Sequence, residues 1–287
     1  MEAIELLKKV RRIEIKTRGL SRHIFAGEYH SAFKGRGISF SEVRAYQYGD
    51  DIRSIDWNVT ARFNSPYVKI FEEERELTVM LLIDVSGSGD FGTRGSFKRD
   101  LMTEIAAVLS FSAIFNNDKI GVIFFSDKVE KIIHPKKGRK HILRIIRELL
   151  DFSSQSRQTN LNEPLRFLTN IIKKRCTAFI ISDFIAPDFE ESLKIASNKH
   201  DIVALKVFDR VENEIPDLGL IKAEDAETGK EIWIDTSSSE NRKAYNIWWN
   251  SHVEKMKNNF TRCGVDYAEL RTDLDYVKPL IKLFKSR

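Results

Sequence analysis

Apolar residues change their spacing along this chain near residue 77. From Leu77 to Ile83 they form a continuous run of strand length, as expected for a strand covered on both faces. A helix is predicted at about 96–116, where Leu101, Ile105, Val108 and Phe115 share an inner face with Met102, Ala106 and Leu109. Lys119 to Ser126 reads as a second apolar strand, and Lys128 to Ile133 is short enough to pair back on it as a hairpin. Helices at about 138–151 and 161–174, a strand at 178–181, a helix at 188–199 and a strand at 202–208 continue the alternation. Residues 218–235 pattern as a hairpin turning at Glu227-Thr228-Gly229-Lys230. A long helix at about 239–260 follows, carrying Trp248 and Trp249, then a last strand at 265–270 and a closing amphipathic helix marked by Leu274, Val277, Ile281 and Phe284. Such alternation implies an α/β fold: an open, mostly parallel sheet with helices on both faces and one antiparallel hairpin strand.

Upstream the pattern is different. Leu6, Val10 and Ile13 fall three to four apart, so residues 2–30 read mainly as helix. Residues 31–75 hold Gly35, Gly37, many charges and short β-like stretches, and read as an irregular, β-rich layer. The expected organisation is an N-terminal segment 1–75 and an α/β domain 76–287 with a hairpin-helix insertion at about 211–262.

Composition narrows the class of protein. The 287 residues are 42% hydrophobic, enough to bury a sizeable core, and 47 Lys+Arg against 42 Asp+Glu leave a net charge of only +5. Two cysteines, Cys176 and Cys263, cannot build a disulfide framework or a thiolate zinc site, and read as free thiols. Met1 to Lys9 lacks the apolar centre of a signal peptide, and no run approaches the ~18–20 apolar residues of a membrane span. A reducing cytoplasm fits all of this.

The first strand of the α/β domain ends in Asp84-Val85-Ser86-Gly87-Ser88, a D-x-S-x-S loop. In open sheets of this kind ligands sit at the carboxyl ends of the strands. Alternation and the curl of the loop can turn one carboxylate and two hydroxyls towards a point, and three hard oxygen groups suit magnesium or manganese better than zinc or copper. Thr159, in the polar loop 153–160, and Asp183, at the end of the strand 178–182, add two oxygens on the same rim. Here the sequence resembles the von Willebrand factor A superfamily and its metal-ion-dependent adhesion site. The resemblance implies that Ser86 and Ser88 bind Mg²⁺ (or Mn²⁺) directly, Thr159 directly or through water, and Asp84 and Asp183 mostly through water. It also implies an open position for an acidic residue of a partner.

Other readings of these residues fail on chemistry. Gly87 to Gly92 is formally G-x-G-x-x-G, but Asp84 would face a pyrophosphate and the helix begins several residues too late. A haloacid-dehalogenase phosphatase needs an Asp where Ser86 stands, and Asp84 occupies the first glycine position of G-x-S-x-G. The six histidines show no paired metal or triad spacing, and no phosphate-binding G-x-x-x-x-G-K-[ST] loop is present, so no complete catalytic constellation is found and an enzyme is not expected. The densest basic cluster is Lys136, Lys137, Arg139, Lys140, Arg144 and Arg147. It reads first as a solvated face, then as a surface for an acidic protein, centred on Arg139, Lys140 and Arg144, or for nucleic acid.

A second resemblance lies upstream. Gly35-Arg36-Gly37-Ile38-Ser39-Phe40-Ser41-Glu42-Val43-Arg44 is followed by Tyr48-Gly49-Asp50-Asp51-Ile52-Arg53-Ser54-Ile55-Asp56-Trp57 and by Ala61-Arg62. So many charges around one tryptophan suggest an ordered ion-pair network, with Asp50, Arg53, Asp56, Trp57 and Arg62 as a structural motif. This block, running into the D-x-S-x-S strand, resembles the bacterial domain of unknown function 58 family over about residues 20–210. The resemblance implies a von Willebrand A-like, metal-dependent partner or adaptor of a MoxR-type AAA+ ATPase, here in a short form without membrane segments. A metal-dependent hydrolase using Asp90 as base, and a nucleic-acid binder using the cluster at 136–147, are the alternative functions.

Overall fold

A computed structural model of the chain describes residues 39–72, 77–93 and 97–287. The helix expected at 2–30, and Gly35 and Gly37, lie outside the described residues. What is described falls into two compact units, one ending at Leu77 and one running from Thr78 to Arg287.

In the first unit β1 (Ser39–Ala45) pairs antiparallel with β2 (Tyr67–Glu72), the register shifting between Phe40 and Glu42. Between them lie a single 3-10 turn at Ile52–Ser54 and the helix α1 (Trp57–Phe63). Aspartates hold these connections. Asp51 accepts from the Arg53 N–H, and Asp56 caps α1 by accepting from the Asn58 and Val59 N–H groups at 3.0 and 3.2 Å. Asp50 pairs with Arg44 at 2.7 Å and accepts from the Gln47 N–H at 2.8 Å. The Arg44 hydrogen bond is the main cause holding the Asp50 carboxyl below its ordinary range. The ordered charges expected here are therefore ion pairs, Arg44 with Asp50 and Asp56 with Lys69 at 3.5 Å, together with local turn and cap bonds. Trp57, expected as their anchor, is 67% exposed, because it begins a seven-residue helix whose N-cap, not its first ring, fixes it.

The second unit is built on a six-stranded sheet. Its strands are β3 (Thr78–Asp84), β4 (Lys119–Phe125), β5 (Val129–Lys136), β6 (Thr177–Ser182), β7 (Asp201–Phe208) and β10 (Asp266–Arg271), in the order β10-β7-β6-β3-β4-β5. All neighbours are parallel except β5, which pairs back on β4. Residues 79–84 of β3 are buried throughout, as a strand covered on both faces requires. Alternation sends Met80 and Leu82 to one face, with Ile123, Ile180 and Ala204. There they meet Leu165 of α4 (Asn162–Ile171), Leu193 of α5 (Glu190–Lys199), and Met256 and Phe260 of α7 (Ser239–Arg262). On the opposite face Phe179 of β6 meets Phe284 of α8 (Val277–Lys285), ring centroids 6.1 Å apart. The helices α2 (Lys98–Phe115) and α3 (Arg139–Asp151) pack against each other, with Ile105, Val108, Ile142 and Ile145 buried.

This is the α/β architecture that the sequence implied, a mostly parallel sheet with helices on both faces and one antiparallel strand. Between β7 and β10 run the four-residue helix α6 (Arg210–Asn213), a separate hairpin of β8 (Leu220–Glu224) and β9 (Glu231–Asp235), and α7. Helix α7 belongs to the helical layer of the sheet. Trp249 on it is buried, and the buried Lys206 of β7 places its ammonium 5.0 Å from that ring's centroid. Among the described residues no helix is long and apolar enough to cross a membrane.

Candidate functional site

The carboxyl ends of β3 and β6 are neighbours because the two strands pair in parallel, Ile83 opposite Ile181. Asp84 therefore meets Ser182, whose Oγ donates to Asp84 Oδ2 at 2.6 Å. The other oxygen, Oδ1, accepts from the Ser86 N–H at 2.9 Å, which curls the chain into a 3-10 turn over Gly87–Asp90. That curl brings the Ser86 and Ser88 hydroxyls within 3.2 Å of each other. Asp84 is 4% exposed and Ser86 1%. Burial, and then the charge of Asp183, push the Asp84 carboxyl up to about 6 against these hydrogen bonds.

Asp183 is fully buried, and Phe184 follows it with φ at +60°, a left-handed conformation that a bulky residue adopts only when its surroundings impose it. The surroundings do so. The Phe184 ring packs on Phe260 at 5.1 Å, its N–H donates to Ser182 Oγ at 3.0 Å, and its carbonyl lies 3.1 Å from His252 Nε2. Asp183 Oδ1 accepts from the Ile185 N–H at 3.1 Å, and Oδ2 accepts from Lys98 Nζ at 2.8 Å. Burial works against its charge, but the Lys98 ammonium beside it, with the Ile185 N–H and Ser88 hydroxyl, holds its carboxyl below the ordinary range.

Thr159 comes from the third segment. The Gly87 N–H donates to the Arg157 carbonyl at 3.0 Å, and the Asn160 N–H to the Ser126 carbonyl at 3.0 Å, so the polar loop is tied to the D-x-S-x-S loop on one side and to the end of β4 on the other. Thr159 is 4% exposed and its hydroxyl has no hydrogen-bond partner of ordinary geometry. The Glu227 carboxyl from the hairpin tip lies beside this hydroxyl without closing a hydrogen bond of ordinary length, so a buried oxygen beside a carboxylate–hydroxyl loop is left to face a hard cation. The Ser86, Ser88 and Thr159 hydroxyls and the Asp84 and Asp183 carboxyls are hard oxygens, the donor type that Mg²⁺ or Mn²⁺ takes.

Sequence reasoning missed a group at the centre of the site. Lys98, the first residue of α2, is fully buried and bridges Asp183 and Glu212, its ammonium 2.5 Å from Glu212 Oε1. Burial disfavours the ammonium, but the two carboxylates raise its pKa above the ordinary value. Glu212 is itself fixed. Its second oxygen accepts from the Asp209 N–H at 2.8 Å in a capping box, and its backbone carbonyl accepts from the Tyr245 hydroxyl at 2.6 Å. Asp209 also accepts from the Thr93 and Thr272 hydroxyls at 2.8 and 2.7 Å. Lys98 sits in a Lys-Arg-Asp run, and nothing in such a run distinguishes a buried cation from a solvated helix start.

Two other expected features lie apart from this site. Asp90, the candidate base, has a side chain 68% exposed and pairs with Arg99 at 3.2 Å, so it is turned to solvent rather than held as a buried base. In the basic cluster Lys136 pairs with Ile120, at the far end of β4 from the site, so Arg139 and Lys140 start α3 at the opposite end of the sheet. Arg144 on the next turn lies 3.8 Å from Glu148.

Known proteins resemble this one along most of its length. The uncharacterized protein Mb1516 of Mycobacterium bovis is 29% identical over 290 residues, covering 99% of this chain and 90% of that relative. Among solved structures, the conserved hypothetical protein BatB from Bacteroides thetaiotaomicron superposes with a TM-score of 0.47 at 15% identity, over 73% of this chain and 98% of BatB. The von Willebrand A domain of SpRpn10 gives a TM-score of 0.38 at 11% identity, over 74% of this chain and 95% of that domain. Matched over residues 42–255, through the charged block, the D-x-S-x-S strand and most of the α/β unit, the chain belongs to the family described as protein of unknown function DUF58.

Proposed function

We propose that this protein is a metal-dependent protein-interaction module, in which a divalent cation held at the end of β3 receives an acidic residue of a partner. The observation that carries this reading is the uncompensated charge. The single positive charge of Lys98 is shared between Asp183 and Glu212, which leaves one negative charge over, and Asp84 adds a buried carboxyl whose neighbouring charge is another carboxylate. A cation between them would supply the missing countercharge, and the Ser86, Ser88 and Thr159 hydroxyls are the neutral oxygens such an ion needs. The ion would supply Lewis-acid attraction for a carboxylate. Asp84 and Asp183 orient hydroxyls and waters around it, as Ser182, Lys98 and the capped Glu212 in turn orient them.

The partner class follows from the family resemblance: a MoxR-type AAA+ ATPase, presenting an Asp or Glu. Binding of such an ATPase to the immobilised protein should be seen in 5 mM-scale Mg²⁺, about the concentration that saturates a weak hard-oxygen site, and be lost in chelator. Asp84→Ala should weaken it at least roughly tenfold, the usual cost of removing an oriented group behind a metal. Equal binding by Asp84→Ala, or binding indifferent to chelator, rules out the metal bridge.

A further inference from the structure

The tip of the β8–β9 hairpin rests on the metal-type loop. A Cβ built on Gly87 would meet the Ala226 carbonyl oxygen at 2.4 Å and Arg157 Cβ at 3.2 Å, so the two backbones touch because position 87 has no side chain. Arg157 also reaches Glu224 of β8 at 3.3 Å. The turn itself is firmly closed. Asp225 accepts from the Glu227 N–H at 3.0 Å and from the Thr228 hydroxyl at 2.5 Å, and the Gly229 N–H donates to the Asp225 carbonyl at 2.8 Å. This fixed turn carries one half-buried acid, Glu227. Its carboxyl lies beside the hydroxyl and amide of Thr159 and within range of the Asp183 charge.

The Thr159 hydroxyl and amide favour this carboxylate, but burial and the Asp183 and Asp225 charges work against it, and a cation between the acids would offset that repulsion. A solvated hairpin tip would leave its acid exposed, as Glu224 is, whereas Glu227 is half-buried. Resting on the metal-site reading above, we infer that Glu227 is the site's own carboxylate ligand: the hairpin tip fills the coordination position that a partner's acidic residue would take. A partner must therefore displace the tip, and the module is closed until it does. Because the competing carboxylate is tethered, its effective concentration is high and an isolated acidic side chain in solution competes poorly.

The test uses the full chain with Mn²⁺ alone as probe, reading affinity and the water-proton relaxivity of the bound ion. Wild type should bind one Mn²⁺ with low relaxivity. Glu227→Gln should bind it more weakly, roughly tenfold, with relaxivity raised by about one further exchanging water, and acetate added to this variant should lower the relaxivity again. Gly87→Ala, which pushes the Ala226 carbonyl away without touching an acid, should raise the relaxivity too and speed amide exchange across 220–235. If Glu227→Gln keeps wild-type affinity and relaxivity while Asp84→Ala loses the ion, the self-ligand is wrong and the metal site stands. If wild type binds no Mn²⁺, or Asp84→Ala binds it equally, the metal reading falls and the self-ligand with it.

Discussion

Single residues at this site gain their meaning from charges that lie far off in sequence. Lys98 is 85 residues from Asp183 and 114 from Glu212, and only the parallel pairing of β3 with β6 and the crossover after β7 bring the three together. Replacing it with Met leaves the buried Asp183 and the half-buried Glu212 without their cation, which should cost about 3–5 kcal/mol in urea unfolding. Adding Mg²⁺ should return part of that loss if an ion can take over the countercharge. A loss unchanged by Mg²⁺ would show that Lys98 supports the fold independently of any ion. A different residue sets the acid sensitivity of the sheet's other end. His200 is 1% exposed, its Nδ1 lies 3.4 Å from Cys176 Sγ, and burial, with Lys199 and Arg175 nearby, pushes its pKa from 6.5 down to about 4. Between those values the unfolded chain takes up a proton that the folded chain refuses. The contribution is thus complete above pH 6.5 and is lost as pH falls towards 4. His200→Gln should remove on the order of 2 kcal/mol of the stability difference between pH 7 and pH 5. Identical pH profiles for variant and wild type would contradict this.

At the scale of elements, much of the second unit was legible because its signals are local. The continuous apolar run at 77–83 became β3, the inner face at 96–116 became α2, and the short segment after Phe125 paired back as β5. The helix ends were less legible. Helix α4 stops at Ile171 rather than 174, where three basic residues, Lys173, Lys174 and Arg175, continue the helical composition without adding an apolar face. In the first unit density of charge was readable as order but not as its form, since N-caps and turn bonds depend on dihedral angles that composition does not record. The close packing of β5 was also invisible. A Cβ on Gly121 would meet the Ile133 carbonyl oxygen and Met80 Sδ at 2.8 Å and Pro135 N at 2.9 Å. Gly121→Ala should therefore destabilise the sheet by roughly 2 kcal/mol, as overpacking does, measured as a lower urea midpoint with an unchanged slope. A neutral result would mean that the edge strand yields freely.

For the whole molecule, topology explains both the site and the limits of reading it from sequence. D-x-S-x-S was visible as a motif, and Thr159 and Asp183 as oxygens on the same rim, because each follows a recognisable strand or loop. Glu227 was visible only as a polar hairpin turn, since its relation to Thr159 exists only once the hairpin between β7 and β10 folds back on the loop after β3. Lys98, Glu212 and Tyr245 form a bracing chain from the helical layer to Asp183 that no spacing announces. The carboxyl ends of β3 and β6 thus bring Asp84, Asp183 and the Ser86 and Ser88 hydroxyls together, and the loop carrying Thr159 is tied to them through Gly87 and Arg157. The direct test is calorimetric titration of Mg²⁺ and Mn²⁺ into metal-stripped protein, wild type beside Asp84→Ala. Binding of one ion that vanishes in the variant is the expected result. Absence of binding in the wild type, or equal binding in both, would contradict a metal site at Asp84, Ser86 and Ser88.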